Sequence, residues 1–347
     1  MTLAEERLAR GPTSTSLSTR EELLRRAILG LPGVDAEEGR AHFDHLLAAM
    51  EIGSPALFVA YARWLAATSE LRASKAWSVT SGLRALRDVL RSFGSMEDLV
   101  GYVQAAVSAL EDEDAGPTRP VSHLDPSAPL AEDARTYLLH LLAGRSREAT
   151  ALVVEMVRRG APLADVYLHV FQRTQHEIGR LWQLGEITVA QEHYCTAATQ
   201  VVMAQLQPQV FEAPRNGRSL LAACVAGNMH EIGPRIIVDL FELEGWDTTY
   251  LGANTPTKDI HGIVADSRPD VVALSAALPS HLRVLGSLVE AIRSDLRCSK
   301  TKIIVGGRPF NDDPGLWQRI GAHGHARDAR DALRVAGELL SSRATDS

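Results

Sequence analysis

Apolar residues fall at helical spacing from Arg20 to Leu110. Leu57, Tyr61, Trp64, Leu65 and Thr68 form one such line and Leu83, Leu86, Val89 and Leu90 another, with arginines between them on the solvent side. The spacing predicts a helical domain over 21–112. Residues 1–20 contain Gly11-Pro12 and the run Thr13-Ser14-Thr15-Ser16 and have too little apolar surface to offset ordering, which predicts a flexible tail. The acidic run Glu111 to Asp114, then Gly116-Pro117 and Pro120, Pro126 and Pro129, marks a linker over 113–130. A second helical set spans 131–213, with turn signals at Gly144, Gly160-Ala161-Pro162 and Gly185, and predicts an antiparallel four-helix bundle. Its last helix opens with a capping box, Thr188 and Gln191, ahead of an expected inward face of Ala190, Tyr194, Ala197, Ala198 and Val201. Glu192 and His193 then lie in its first turn and a half, close to Trp182.

Beyond Pro208 to Gly217 the period changes. Short runs at Leu220 to Val225, Thr248 to Leu251, Val271 to Leu274 and Lys302 to Val305 alternate with helical segments at 235–243, 257–267, 281–295 and 329–341. The alternation predicts a doubly wound parallel sheet over 214–347, so the fold class is α/β plus all-α. The strands end in Gly227, Gly252, Ser275 and Gly306-Gly307, small residues expected to leave room for a bulky ligand.

Composition narrows the function. Lysine and arginine number 36 against 43 acidic residues, a net charge of −7, and no basic cluster offsets it, which argues against a nucleic-acid partner. Cys195, Cys224 and Cys298 have no metal-ligand spacing and suggest reduced thiols in a cytoplasmic protein. There is no signal peptide and no apolar run of membrane-spanning length, so no membrane partner is expected. No phosphate-loop or dinucleotide fingerprint appears. His176-Glu177-Ile178-Gly179 does not continue as the two-histidine zinc protease motif.

The chemistry gathers at Leu220 to Gly233. An apolar strand breaks at Gly227, presents Asn228 and His230, and passes through Gly233-Pro234 into a helix. A histidine there sits at the carboxyl edge of a parallel sheet, where such sheets bind ligands. Asn228-Met229-His230-Glu231-Ile232-Gly233 resembles the Asp-x-His-x-x-Gly motif of cobalamin-binding domains. Ser275-Ala276-Ala277-Leu278 resembles their serine-leucine loop, and Gly306-Gly307 their paired glycines. The resemblance implies that His230 is the lower axial ligand of cobalt, with Ser275, Leu278, Gly306 and Gly307 along the slot for the displaced nucleotide tail. The departure is Asn228, where the family has a carboxylate; an amide holds the imidazole without adding charge.

Trp182, followed by nine residues and then Glu192-His193, resembles the helical cap of cobalamin-dependent photoreceptors. The resemblance implies an adenosyl group packed on Trp182 and Val189 and hydrogen-bonded by Glu192 and His193. In the DNA-binding members a histidine follows the tryptophan and ligates cobalt after photolysis; here the residue is Gln183. Residues 20–110 lack a helix-turn-helix pattern and are instead similar to the helical module of photocobilins, which hold a bilin such as biliverdin beside the corrin. Tyr61, Trp64, Arg72 and Trp77 are the candidate bilin contacts, or else part of a helical core or dimer face. The expectation is a non-catalytic light sensor that binds adenosylcobalamin and changes its self-association, as a dimer, in light. The alternative is a corrinoid methyl carrier or mutase-type subunit. A haem-binding relative would also use His230.

Overall fold

The computed structural model describes Ile28 and residues 36–71, 79–92, 97–112 and 121–341. The tail expected over 1–20, Arg72, Trp77 and residues 113–120 of the linker lie outside them. The chain divides into two compact units, Met1–Thr118 and Arg119–Ser347.

In the first unit α1 (Ala36–Glu51), α2 (Pro55–Leu71), α3 (Val79–Ser92) and α4 (Glu97–Glu111) pack as a helical domain, with α4 against α2 and α3. Leu83, Leu86 and Leu90 of α3 are buried while Arg84 and Arg91 face solvent, the division the spacing predicts. Phe58 and Tyr61 from α2 and Leu99 and Val103 from α4 complete the core.

The second unit begins with the bundle: α5 (Ala131–Leu142), α6 (Ser146–Arg158), α7 (residues 163–183) and α8 (Val189–Val210). Helix α7 is not uniform. Leu163–Asp165 leads into a π-helical stretch, Val166–Gln172, before the α-helix resumes over Arg173–Gln183. The wider turn places Tyr167 and Phe171 in the core with ring centroids 5.2 Å apart, and Phe171 lies 5.6 Å from Tyr137. Helix α8 opens on the predicted cap: the Thr188 hydroxyl accepts from Gln191 N, and Gln191 Oε1 accepts from Thr188 N at 2.9 Å. Its inward face is not the expected one. Cys195, Ala198, Val202, Met203, Leu206 and Val210 are buried, whereas Ala190, Tyr194, Ala197 and Val201 face solvent. The helix is apolar on both sides, so periodicity alone could not choose between them.

The five strands β1 (Ser219–Cys224), β2 (Asp247–Tyr250), β3 (Val271–Ser275), β4 (Lys302–Gly306) and β5 (Gly324–Ala326) form one parallel sheet ordered β2-β1-β3-β4-β5. Strand β5 was not legible, because Gly-His-Ala is too short to show a pattern and is held by its pairing to Ile304, Val305 and Gly306. The chain order reverses at β1, with β2 on one side and β3 on the other, which opens a crevice at their carboxyl ends. Helices α9 (Ile232–Leu243), α10 (Thr257–Ser267), α11 (Leu282–Ser294) and α14 (Ala329–Ser341) cover the sheet, with short α12 (Arg308–Asp312) and α13 (Leu316–Ile320) between β4 and β5. Ile232, Ile236 and Leu240 of α9 and Ala329 of α14 join the bundle's own apolar cluster, so bundle and sheet share a core. Ile232, expected beside a cofactor, is buried in that shared core, because its position on the first turn of α9 faces the bundle.

Candidate functional site

The lower wall is built from strand ends. After β1 the chain turns at Gly227, which has φ of 85°, and buries Asn228 completely while leaving His230 exposed. The Asn228 amide nitrogen donates to the Ser275 carbonyl at 2.9 Å and lies 3.4 Å from the Ser275 hydroxyl. A carbonyl only accepts, so this contact fixes which way the amide faces. Its oxygen therefore turns toward His230, accepting from the backbone N–H at 3.1 Å and facing Nδ1 at 3.2 Å. Nδ1 carries the proton in that pairing, which leaves the Nε2 lone pair on the exposed side of the ring.

The loop has further supports that sequence reasoning missed. The Asn254 side chain accepts from Gly227 N at 2.8 Å, the Tyr250 hydroxyl donates to the Glu231 carbonyl at 3.0 Å, and Gln200 donates to the Glu231 carboxylate at 2.6 Å. His281, six residues beyond Ser275, is buried with its ring against Gly227. Burial and the nearby His230 ring hold its pKa below the usual histidine value, against a hydrogen bond to the Gly227 backbone. The only sequence signal for it was a histidine in a proline-initiated turn.

Ser275 pairs in register with Cys224 on one side and Gly306 on the other. The paired glycines are also needed for the backbone itself. A Cβ on Gly307, at φ of 112°, would overlap the Ala276 carbonyl oxygen, and one on Gly306 would sit 3.1 Å from the Ala326 oxygen. Close approach of neighbouring backbone requires them, whereas Gly252 does face open space. Leu278 and Met229 are exposed, at 41% and 67%. Gly233 is exposed on the first turn of α9.

The upper wall is made of side chains at one end of the bundle. Trp182 and Gln183 close α7 and Val189 opens α8; Trp182 is 37% and Val189 50% exposed. Glu192 Oε2 meets His193 Nδ1 at 2.6 Å, and Glu192 Oε1 lies 3.1 Å from the Thr196 hydroxyl. Thr196 in turn lies 3.3 Å from Gln175 Oε1, Gln175 donates to Thr199 at 2.8 Å, and the buried Tyr137 hydroxyl donates to Thr199 at 3.1 Å. The single Thr196 proton serves one of these two oxygens, and the shorter contact gives it to Glu192, which is thereby held at the edge of the Gln175–Thr199–Tyr137 network. Along α8, Gln200 bonds Glu231 and Gln207 bonds Asp239 at 3.0 Å, which ties the helix to the sheet domain. Glu192 lies eight residues before Gln200, about 12 Å along the axis at 1.5 Å per residue. The bundle is therefore pinned at one end of α8, and the Trp182 to His193 set occupies the other.

In the first unit, Tyr61 stacks on His45 with centroids 3.8 Å apart and lies 5.7 Å from Trp64, while His42 Nδ1 meets the Tyr61 hydroxyl at 2.6 Å. Of these, His42 and Tyr61 border a narrow recess lined also by Phe58, Leu65, Leu83 and Leu86. Trp64 Nε1 is buried without a hydrogen-bond partner. In the second unit, His261, Asp295 and Cys298 bring ligand atoms within 4.8 Å of one another. Arg297 already holds both Asp295 oxygens, at 2.7 and 3.1 Å, so a cation is in place there.

A B12 binding domain model matches residues 218–334, and a second B12 binding domain model matches 134–207. The chain is a B12-binding protein with a helical cap. Over 122 residues it is 34% identical to the HTH-type transcriptional repressor CarA of Myxococcus xanthus, spanning 35% of this chain and 41% of that protein's length. Over 209 residues it is 22% identical to dimethylamine corrinoid protein 3 of Methanosarcina acetivorans, 58% of this chain and 97% of the relative. The monomethylamine corrinoid protein of Methanosarcina barkeri matches 61% of the chain with a TM-score of 0.54 at 20% identity, a likeness of fold. The donor set fits the cofactor: an exposed imidazole nitrogen with its lone pair outward, its second nitrogen held from behind by a buried acceptor. Among the described residues, no helix is long and apolar enough to cross a membrane.

Proposed function

We propose that this protein is a non-catalytic light sensor whose chromophore is adenosylcobalamin. The observation that carries the reading is the upper wall: two exposed apolar side chains, Trp182 and Val189, beside a carboxylate held by Thr196. Such a wall suits a ligand with an apolar face and polar edges, as a nucleoside has; a methyl group would leave most of it uncovered. Bound adenosylcobalamin would supply a light-labile cobalt–carbon bond. His230 would hold the metal from below through Nε2, oriented by Asn228. Trp182 and Val189 would exclude water above it, and Glu192 with His193 would accept and donate hydrogen bonds to the nucleoside. Those contacts would favour one cap position while the adenosyl group is in place, and their loss in light would let the end of α8 that carries them shift. The output would be a change in self-association or in contact with a downstream effector.

The test adds adenosylcobalamin to the full chain in darkness, then records absorption and elution before and after illumination. A bound spectrum that changes with light, together with a changed elution volume, supports the sensor. Identical traces in dark and light would exclude it.

A second reading, a methyl carrier, is favoured by the match along 97% of the dimethylamine corrinoid protein. It predicts retention of methylcobalamin and exchange of its methyl group with a partner. For the first unit, a bilin such as biliverdin is a candidate second chromophore, supported by the Tyr61–Trp64 stack and the unpartnered Trp64 Nε1. Of the described residues lining that recess, His42 and Tyr61 alone are polar, so propionate partners would have to come from elsewhere. Absorption with and without biliverdin tests this separately.

A further inference from the structure

Helix α8 exposes an apolar stripe that the bundle does not need. Ala190, Tyr194, Ala197, Val201, Ala204 and Pro208 all face solvent, while the opposite side of the helix fills the core. A helix apolar all round is ordinarily a buried one. The stripe advances by four, three, four, three and four residues, the spacing with which one helix meets another in a coiled coil. Its occupant is therefore a helix. Among the described residues of the first unit no large apolar side chain is exposed, so none of its described helices offers a matching face.

We propose that the stripe pairs with the same stripe of a second copy, antiparallel, about a two-fold axis at Thr199. The stripe alternates small and larger residues, and an antiparallel match about that point sets each larger residue against an alanine of the partner. Tyr194 meets position 204, Val201 meets position 197, and Pro208 meets position 190, every pair of numbers summing to twice 199. In an isologous contact each pairing occurs twice. A parallel pairing would instead set tyrosine on tyrosine and alanine on alanine. On α8 itself the flanks are uncharged at Gln191 and Gln205 on one side and at Gln200 and Gln207 on the other, where those two glutamines already hold the Glu231 and Asp239 carboxylates. The stripe shares its helix with Glu192 and His193, so a movement of the cap end would be felt at the pairing.

This inference names the surface for the self-association in the proposed function but does not depend on light, so the two fail separately. The full chain, without cofactor and with adenosylcobalamin in darkness, is measured by light scattering on a sizing column at tens of micromolar. A dimer is expected, and Val201→Glu should halve the mass while leaving the cobalamin spectrum and the helical content unchanged. Pairing direction is tested by oxidative cross-linking of Tyr194→Cys and Ala204→Cys chains: each alone should stay single, and the mixture should give the mixed disulfide. A monomeric parent, a Val201→Glu chain of unchanged mass, or cross-linking of Tyr194→Cys with itself would overturn the proposal. Light that changes neither the spectrum nor the mass would overturn the sensor and leave the pairing standing.

Discussion

The two walls of the site are made by different means. The lower wall is backbone: strand ends in register, a glycine that no other residue could replace, and a buried amide whose two ends are both spoken for. The upper wall is side chains on the end of two helices, and the polar ties of α8 to the sheet domain, through Gln200 and Gln207, lie farther along that helix. A wall built from the sheet cannot move without unfolding it, and a wall at a helix end can. The contrast assigns metal holding to the first and response to the second.

The comparison can be broken at several points. The largest effect is expected from Gly307→Val, because the added carbons meet the Ala276 carbonyl in a conformation that valine avoids. A loss of about 3 kcal/mol or more should appear in denaturant unfolding of the cofactor-free chain. Asn228→Ala comes next. It leaves the Ser275 carbonyl with Val225 N alone, takes the acceptor from His230 N and frees the His230 ring, for about 2 kcal/mol of stability and about a tenfold or greater loss of corrin affinity, read by equilibrium dialysis. Thr196→Val removes the hydroxyl that holds Glu192 and should cost about 1 kcal/mol, with corrin uptake unchanged and the adenosyl form selected less strongly over the methyl form.

The smallest and most discriminating measurement concerns two thiols. Burial pushes Cys195 in the cap up to about 11 and Cys224 at the end of β1 up to about 12. Both stay protonated in the folded chain while the unfolded chain ionises near pH 9. Their contribution to stability is therefore complete below that pH and lost as pH rises through about 11 and 12. At pH 8 neither should alkylate in darkness. If only the upper wall moves, light should expose Cys195 to reagent and leave Cys224 silent, and equal labelling of both would remove the distinction between the walls.

Much of this was legible in the residues. The helical and strand segments follow the hydrophobic period, and the Thr188 cap and the strand-end position of His230 were read directly. The errors have a common cause. Strand β5, the inward face of α8 and the burial of Ile232 are all settled by what lies across a contact, which a single chain of letters does not display. The same holds for His281, Gln200, Gln175 and Thr196, polar residues that belong to the site only because folding brings them to it.

The π-helical stretch Val166–Gln172 sets the bearing of the tryptophan. An α-helix advances about 100° with every residue, and a π-turn absorbs one residue more than its neighbours. Trp182, ten residues downstream of Gln172, is thus dialled to its heading by a bulge in the middle of its own helix. Excising a single residue downstream of the bulge would swing the indole roughly a quarter of the way round the helix axis, whereas excising one within it would leave a plain α-helix with the indole near its present heading.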